Sequence, residues 1–147
     1  MTLDAPTASR NDPEVVRRLL TEPGRWAVVG LSDNSDRPAY GVARFLQERL
    51  GAEVVPVHPR AVDVHGERGF PDLAAADEHG QIDVVDCFVN SERVGAVVDD
   101  AIRVGARAVW MQLGVVDEAA AARAREAGLD VVMDACPAIE APRLGIV

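Results

Sequence analysis

RWAVVGLSDNSDRPAYGVARFL, Arg25 to Leu46, is the stretch whose reading decides the fold. Trp26 to Val29 is a short apolar run rich in β-branched residues. It ends on Gly30, and polar turn-formers follow before Pro38 and an apolar pattern of helical period. Strand, loop and helix are therefore predicted in that order. Pro38 suits the first helical turn, where its fixed φ fits and its missing N–H matters least, with Arg37 or Asp36 as the cap. From Tyr40 the positions Ala43, Leu46 and Leu50, with Val42 and Phe45 beside them, make a stripe that packs on a sheet. Such a loop aims unpaired backbone N–H groups and the positive end of a helix dipole at one place, which is where phosphate is held. The first strand is expected to deliver the chain to an anionic ligand.

Outward from that unit the same alternation repeats. Upstream, residues 1–11 read as a loose polar lead, and Asp12-Pro13-Glu14 opens a helix whose Val15, Val16, Leu19 and Leu20 form its apolar side before Pro23-Gly24. Downstream, Gly51 is a C-cap and Glu53 to Val57 a second strand closing on His58-Pro59-Arg60. Val64 to Phe70 reads as a short edge strand and Pro71 to Ala76 as a brief helix. Ile82 to Val89 is a near-continuous apolar strand, and Ser91 caps a helix from Glu92 to Val104. Arg107 to Leu113 is a strand, Asp117 to Ala127 an alanine-rich helix ended by Gly128, and Asp130 to Met133 the last strand. The tail, Pro137 to Val147, is expected along the surface. Strands alternating with helices imply right-handed crossovers and one α/β domain over residues 1–147. Its predicted form is a three-layer Rossmann-like fold, a mainly parallel sheet with helices on both faces. In that architecture ligands sit at the carboxyl ends of the strands, near the switch in strand order.

Composition limits what that ligand is. The chain has 147 residues, 48% hydrophobic and 27% charged, ordinary for a folded domain with a core of its own. Fifteen basic against twenty-four acidic residues give a formal charge of -9, which argues against nucleic acid as a partner. Every basic residue other than histidine is Arg, and without Lys no Schiff base or covalent pyridoxal phosphate can form. Two cysteines, Cys87 and Cys136, are too few for a disulfide framework and lack metal-ligand spacing. No run has the roughly 18 apolar residues of a membrane span, and the start lacks a signal-peptide core, so no membrane partner and a cytoplasmic location are expected.

The loops carry the chemistry. A dinucleotide fingerprint needs GxGxxG, but after Gly30 the next glycine is Gly41, so that fingerprint is absent. Ser32, Asn34, Ser35 and Arg37 stand where glycine backbone would otherwise approach the phosphates. At the end of the second strand an NAD site places Asp or Glu for the ribose, whereas here Arg60 offers a fixed cation. That choice implies a phosphorylated ribose, either the 3′-phosphate of coenzyme A or the 2′-phosphate of NADP. His58, His65 and His79 read as polar surface residues without catalytic partners. Asp83, Asp86, Asp99 and Asp100 read as strand-end and helix-surface carboxylates, and no catalytic residue is marked. Cys87, Trp26 and Trp110 read as core.

Five segments in order, VVGLSDNSDRPAYGVARFLQ, VVPVHPRAVDVHGERGFPDL, IDVVDCFVNSERV, GARAVWMQLGV and AGLDVVMDACPAIEAPRL, resemble the small stand-alone CoA-binding proteins. These are similar in fold to the CoA-binding domain of the succinyl-CoA synthetase α subunit. The resemblance implies that Gly30, Ser32, Ser35, Arg37 and Tyr40 surround the pyrophosphate of coenzyme A, while Pro59 and Arg60 meet the 3′-phosphate. It places Phe88, Val89 and Arg93 beside the adenine and ribose, and Gln112 with Gly114 along the pantetheine exit. The ligase's second domain with its phosphorylated histidine has no counterpart here, so non-covalent binding of coenzyme A or acyl-CoA without catalysis is the leading expectation. An NADP-dependent oxidoreductase or redox-sensing nucleotide-binding protein is the alternative, weakened by the missing fingerprint and by the lack of lysine for a Tyr-Lys pair. A third, an interaction protein that has lost its ligand, leaves Arg37 and Arg60 unexplained. Cys136, in DACPAIE, suits either a mixed disulfide with coenzyme A or plain packing.

Overall fold

The computed structural model describes residues 11–22 and 24–147. Five strands, β1 (Arg25–Val29), β2 (Glu53–Val57), β3 (Val84–Cys87), β4 (Ala108–Met111) and β5 (Asp130–Val132), alternate with helices. The helices are α1 (Pro13–Thr21), α2 (Pro38–Leu50), α3 (Leu73–Asp77), α4 (Val94–Val104), α5 (Glu118–Glu126) and α6 (Pro137–Arg143). All the strand pairs are parallel and the order is β2-β1-β3-β4-β5. This is the expected Rossmann-like sheet, with its order reversing between β1 and β3.

Register and the two-residue period of the strands sort the side chains into two layers. Ala27, Val55, Val85, Val109 and Val131 lie opposite one another and face α3, α4 and α5. Trp26, Val54, Val84 and Ala108 make a row on the other face, under α1, α2 and α6. The next row on that face is Val28, Pro56, Asp86, Trp110 and Val132. Trp26 and Trp110 are buried with ring centroids 5.7 Å apart, which explains how a chain with few aromatics fills this layer. On the opposite side, alanines of α5 (Ala120, Ala121, Ala124) let the helix approach the sheet closely.

Helix ends follow local chemistry. Asp12, Asp72 and Asp117 accept from backbone N–H groups of α1, α3 and α5, and Gly51 and Gly105 close α2 and α4 in the left-handed conformation. Pro38 stands at the start of α2, after Arg37 at the cap position, as expected. Four expectations change. Residues 64–70 form no strand, only isolated bridges Val57 to Phe70 and Val64 to Glu67, because Gly66 and His65 take positive φ and turn the chain. Helix α4 starts at Val94 rather than Glu92. Asn90, not Ser91, accepts from the Arg93 N–H, and Ser91 Oγ instead receives the Val116 N–H. The tail is not a surface strap: Pro137 and Ala141 of α6 are buried, Ala141 in the Trp110 layer. Asp86 is not a surface carboxylate but fully buried at the centre of the sheet.

The predicted loose lead lies outside the described residues except for Asn11, which is tied to Met133 by two hydrogen bonds of 2.8 and 2.9 Å. Pro23, in the expected helix terminator, is also outside them. Among the described residues, no helix is long and apolar enough to cross a membrane.

Candidate functional site

A cleft of about 1100 Å³ opens at the carboxyl ends of the strands, where the loops after β1 and β3 part in opposite directions. Its floor is set by Gly30. This residue has φ +101°, and a Cβ there would stand 2.4 Å from the Phe88 carbonyl oxygen, so glycine alone lets the first loop cross β3 closely. The loop then folds on itself. Ser32 Oγ accepts from the Asn34 N–H, Asn34 Oδ1 accepts from the Asp36 N–H, and the Arg37 N–H reaches the Asn34 carbonyl. These bonds hold Arg37 at the start of α2 with an exposed side chain lining the cleft.

The loop after β2 places His58 and Pro59 in the wall, and His58 Nδ1 accepts from the Arg60 N–H at 3.1 Å. Phe88, Val89, Asn90 and Arg93 come from the loop after β3. Gln112, Leu113 and Val115 come from the loop after β4, and Cys136 and Ile139 from the far side. Of the residues singled out from the sequence, Gly30, Arg37, Pro59, Phe88, Val89, Arg93 and Gln112 thus share one cleft. Ser32, Ser35, Tyr40, Arg60 and Gly114 do not line it. Ser32 is buried under the first loop, and Tyr40 packs on His65 with ring centroids 4.3 Å apart. Arg60 reaches over the outside of the loop, 3.8 Å from Asp33, with both side chains more than half exposed. The Gly114 N–H donates to Asp134 at 2.7 Å, and its carbonyl accepts from Ser91 Oγ.

Sequence reasoning set aside His58 as a surface residue and did not single out Asn90, Leu113 or Ile139. Their common signal is position: each follows or faces a strand end. Leu113 and Ile139 are also two exposed large apolar residues, 61% and 51% accessible, at the mouth of the cleft.

Among the described residues, neither Arg37 nor Arg93 enters an ion pair. The acidic groups on the rim are partly engaged, Asp72 in capping α3 and Asp100 in pairing with Arg103. The first turn of α2 also lines the cleft and adds partial positive charge there, while one side of α4, with Ala96, Val97 and Asp100, runs along it. The site can hold an anion through fixed guanidinium groups, with apolar walls for a ring and a chain. Beneath it, Asp86 has no hydrogen-bond partner for either carboxyl oxygen, nor has Gln112 Oε1. Burial pushes the Asp86 carboxyl well above its usual range, and burial with the neighbouring Asp86 raises the Cys87 thiol.

Residues 24–142 match the family model described as a CoA binding domain. The uncharacterized protein YneT of Bacillus subtilis (strain 168) is 35% identical over 121 residues, covering 82% of this chain and 87% of YneT. A hypothetical protein from Pyrococcus horikoshii OT3 superposes with a TM-score of 0.81 at 36% identity, over 89% of this chain and 90% of that one. A Thermus thermophilus protein, cell-free ID.343, gives 0.81 at 29% identity, over 90% and 98%.

Proposed function

This chain belongs to the CoA binding domain family, and on that premise we propose that it holds coenzyme A, free or acylated, non-covalently, as a cytoplasmic binding module without catalysis of its own. The observation that carries the reading is the pair Arg37 and Arg93, cations without an ion pair among the described residues, lining one cleft with Gly30 in a chain whose formal charge is -9. A free guanidinium in an acidic protein is a place for phosphate, and two of them in one cleft suit a pyrophosphate and its ribose.

In this reading the pyrophosphate rests over Gly30 beside Arg37, with Ser32, Ser35 and Tyr40 shaping the loop from behind. Arg60 swings from Asp33 to the 3′-phosphate next to Pro59. That exchange costs little, because an exposed ion pair contributes about 0–1 kcal/mol. Adenine and ribose lie along Phe88, Val89 and Arg93. The pantetheine arm leaves past Gln112 and Gly114, and an acyl group would meet Leu113 and Ile139.

Isothermal titration with coenzyme A, NADPH and ATP tests the assignment. Heat with coenzyme A alone is expected; heat with NADPH in its place would turn the reading toward an oxidoreductase, and heat with none would leave a fold without its ligand. A mass spectrum of the small molecules released from purified protein by heating distinguishes coenzyme A from its thioesters.

A further inference from the structure

Asp86 is the one charged-type side chain in a row of the sheet that is otherwise apolar: Val28 lies opposite on β1 and Trp110 on β4. The helices over that face turn mainly apolar groups inward, Val16 and Leu20 from α1, Ala39, Ala43 and Leu46 from α2 and Ala141 from α6, and among the described residues neither Asp86 oxygen has a hydrogen-bond partner. The indole N–H of Trp110, the nearest donor in register, is taken by the Ala135 carbonyl at 2.8 Å. Cys87, the titratable neighbour in sequence, points to the opposite layer. An ionised carboxylate without a donor or a counter-charge is untenable in such surroundings.

One residue supplies the missing half. The Gln112 N–H donates to the Cys87 carbonyl at 3.4 Å, which carries the β3–β4 pairing one residue past Met111. The Gln112 side chain therefore falls on the Trp110 face, one row nearer the cleft and diagonal to Asp86, a separation that a glutamine spans. Its Oε1 is buried and without a donor, while the residue itself lines the cleft. Once one Asp86 oxygen carries a hydrogen, that oxygen and Gln112 Oε1 become a donor and acceptor pair, leaving one neutral carbonyl oxygen in place of a buried charge.

We propose that Asp86 is a positioning residue: as an uncharged acid it donates its hydroxyl to Gln112 Oε1, turning the Gln112 amide N–H groups toward a carbonyl oxygen of the pantetheine arm. The last step rests on the coenzyme A reading above; the hydrogen bond and the orientation do not. The pKa direction agrees with the geometry, since burial alone favours the neutral form.

Three readouts test it on the intact chain. The carboxyl carbon-13 signal of Asp86 is expected at the protonated position at pH 7, and finding it ionised would overturn the proposal without reference to any ligand. The Gln112 side-chain amide proton signals are expected to move in Asp86→Leu and to stay near their wild-type place in Asp86→Asn, whose amide is also a donor. The proposal falls if both variants move them alike. Coenzyme A affinity is expected to drop about tenfold in Asp86→Leu, to return in Asp86→Asn, and to fall no further when Asp86→Leu is added to Gln112→Leu. Additive losses would mean that Asp86 acts on packing rather than through Gln112. A wild-type protein that binds no coenzyme A would refute the proposed function, and the two spectroscopic results would still decide the role of Asp86.

Discussion

The two ends of the parallel sheet treat arginine in opposite ways. At the amino end, Arg25 is 8% exposed and engaged: its guanidinium reaches the Ala76 and Gly80 carbonyls at 3.1 and 2.7 Å and Glu53 at 3.2 Å, while its backbone N–H donates to Asp83. At the carboxyl end, Arg37 and Arg93 hold no carboxylate among the described residues and stand open to solvent in the cleft. A charge buried with all its partners fixes structure; a charge left exposed beside a glycine floor keeps its binding capacity for something else.

Breaking the closed end should have the largest effect. Arg25→Ala strands two carbonyls and the Glu53 carboxylate and is expected to cost about 3 kcal/mol in urea unfolding, with little change in the coenzyme A affinity of the molecules that remain folded. A loss below ~1 kcal/mol would mean that water replaces the guanidinium. Gly30→Ala sits between the two classes. Its positive φ and the Phe88 carbonyl at 2.4 Å from the new Cβ predict a loss of about 2 kcal/mol or more, together with weaker binding, measured by thermal melts and titration on the same sample.

Arg37→Ala and Arg93→Ala should do the reverse of Arg25→Ala. Stability is expected to stay within about 0.5 kcal/mol while coenzyme A affinity falls about tenfold for each. Unfolding curves displaced as far as those of Arg25→Ala would erase the contrast between the two ends.

Asp86 sharpens the comparison through pH. Burial raises its native pKa well above the usual carboxyl range, whereas the unfolded chain ionises it above about pH 4, so the native state binds more protons in between. Wild-type stability should therefore fall as pH rises from about 4 toward the raised native value, up to roughly a factor of ten in the unfolding equilibrium per pH unit. Asp86→Asn lacks that slope and should gain on the wild type between pH 4 and pH 7; parallel stability profiles would contradict this. The smallest effect expected is selective: Arg60→Ala should weaken coenzyme A a few-fold more than dephospho-coenzyme A, and equal losses would remove the 3′-phosphate from that corner.

Much of this was legible in the chain. Alternating apolar runs with Gly30, Gly51 and Gly105 at their ends specify strands and helices locally, and right-handed crossovers then leave few topologies. Arg37, Phe88 and Arg93 were findable because residues just past a strand end converge on one crevice. Residues 64–70 misled because a hydrophobic pair within a Gly-containing turn imitates a strand. The tail misled because two prolines hide a short helix whose burial depends on Trp110, far away in sequence.

What the sequence determined by itself was the set of elements, their order, the acidic balance and the unusual reliance on arginine, since each depends on neighbours within a few positions. Only the tertiary structure decided which charges are spent and which are free. Asp86 reads as an ordinary polar residue in IDVVDCFV, yet pairing with β1 and β4 and the cover of α2 and α6 close it off from water. Arg25 and Arg37 are the same residue type twelve positions apart, and their fates differ because solvation and partners are set by residues distant along the chain.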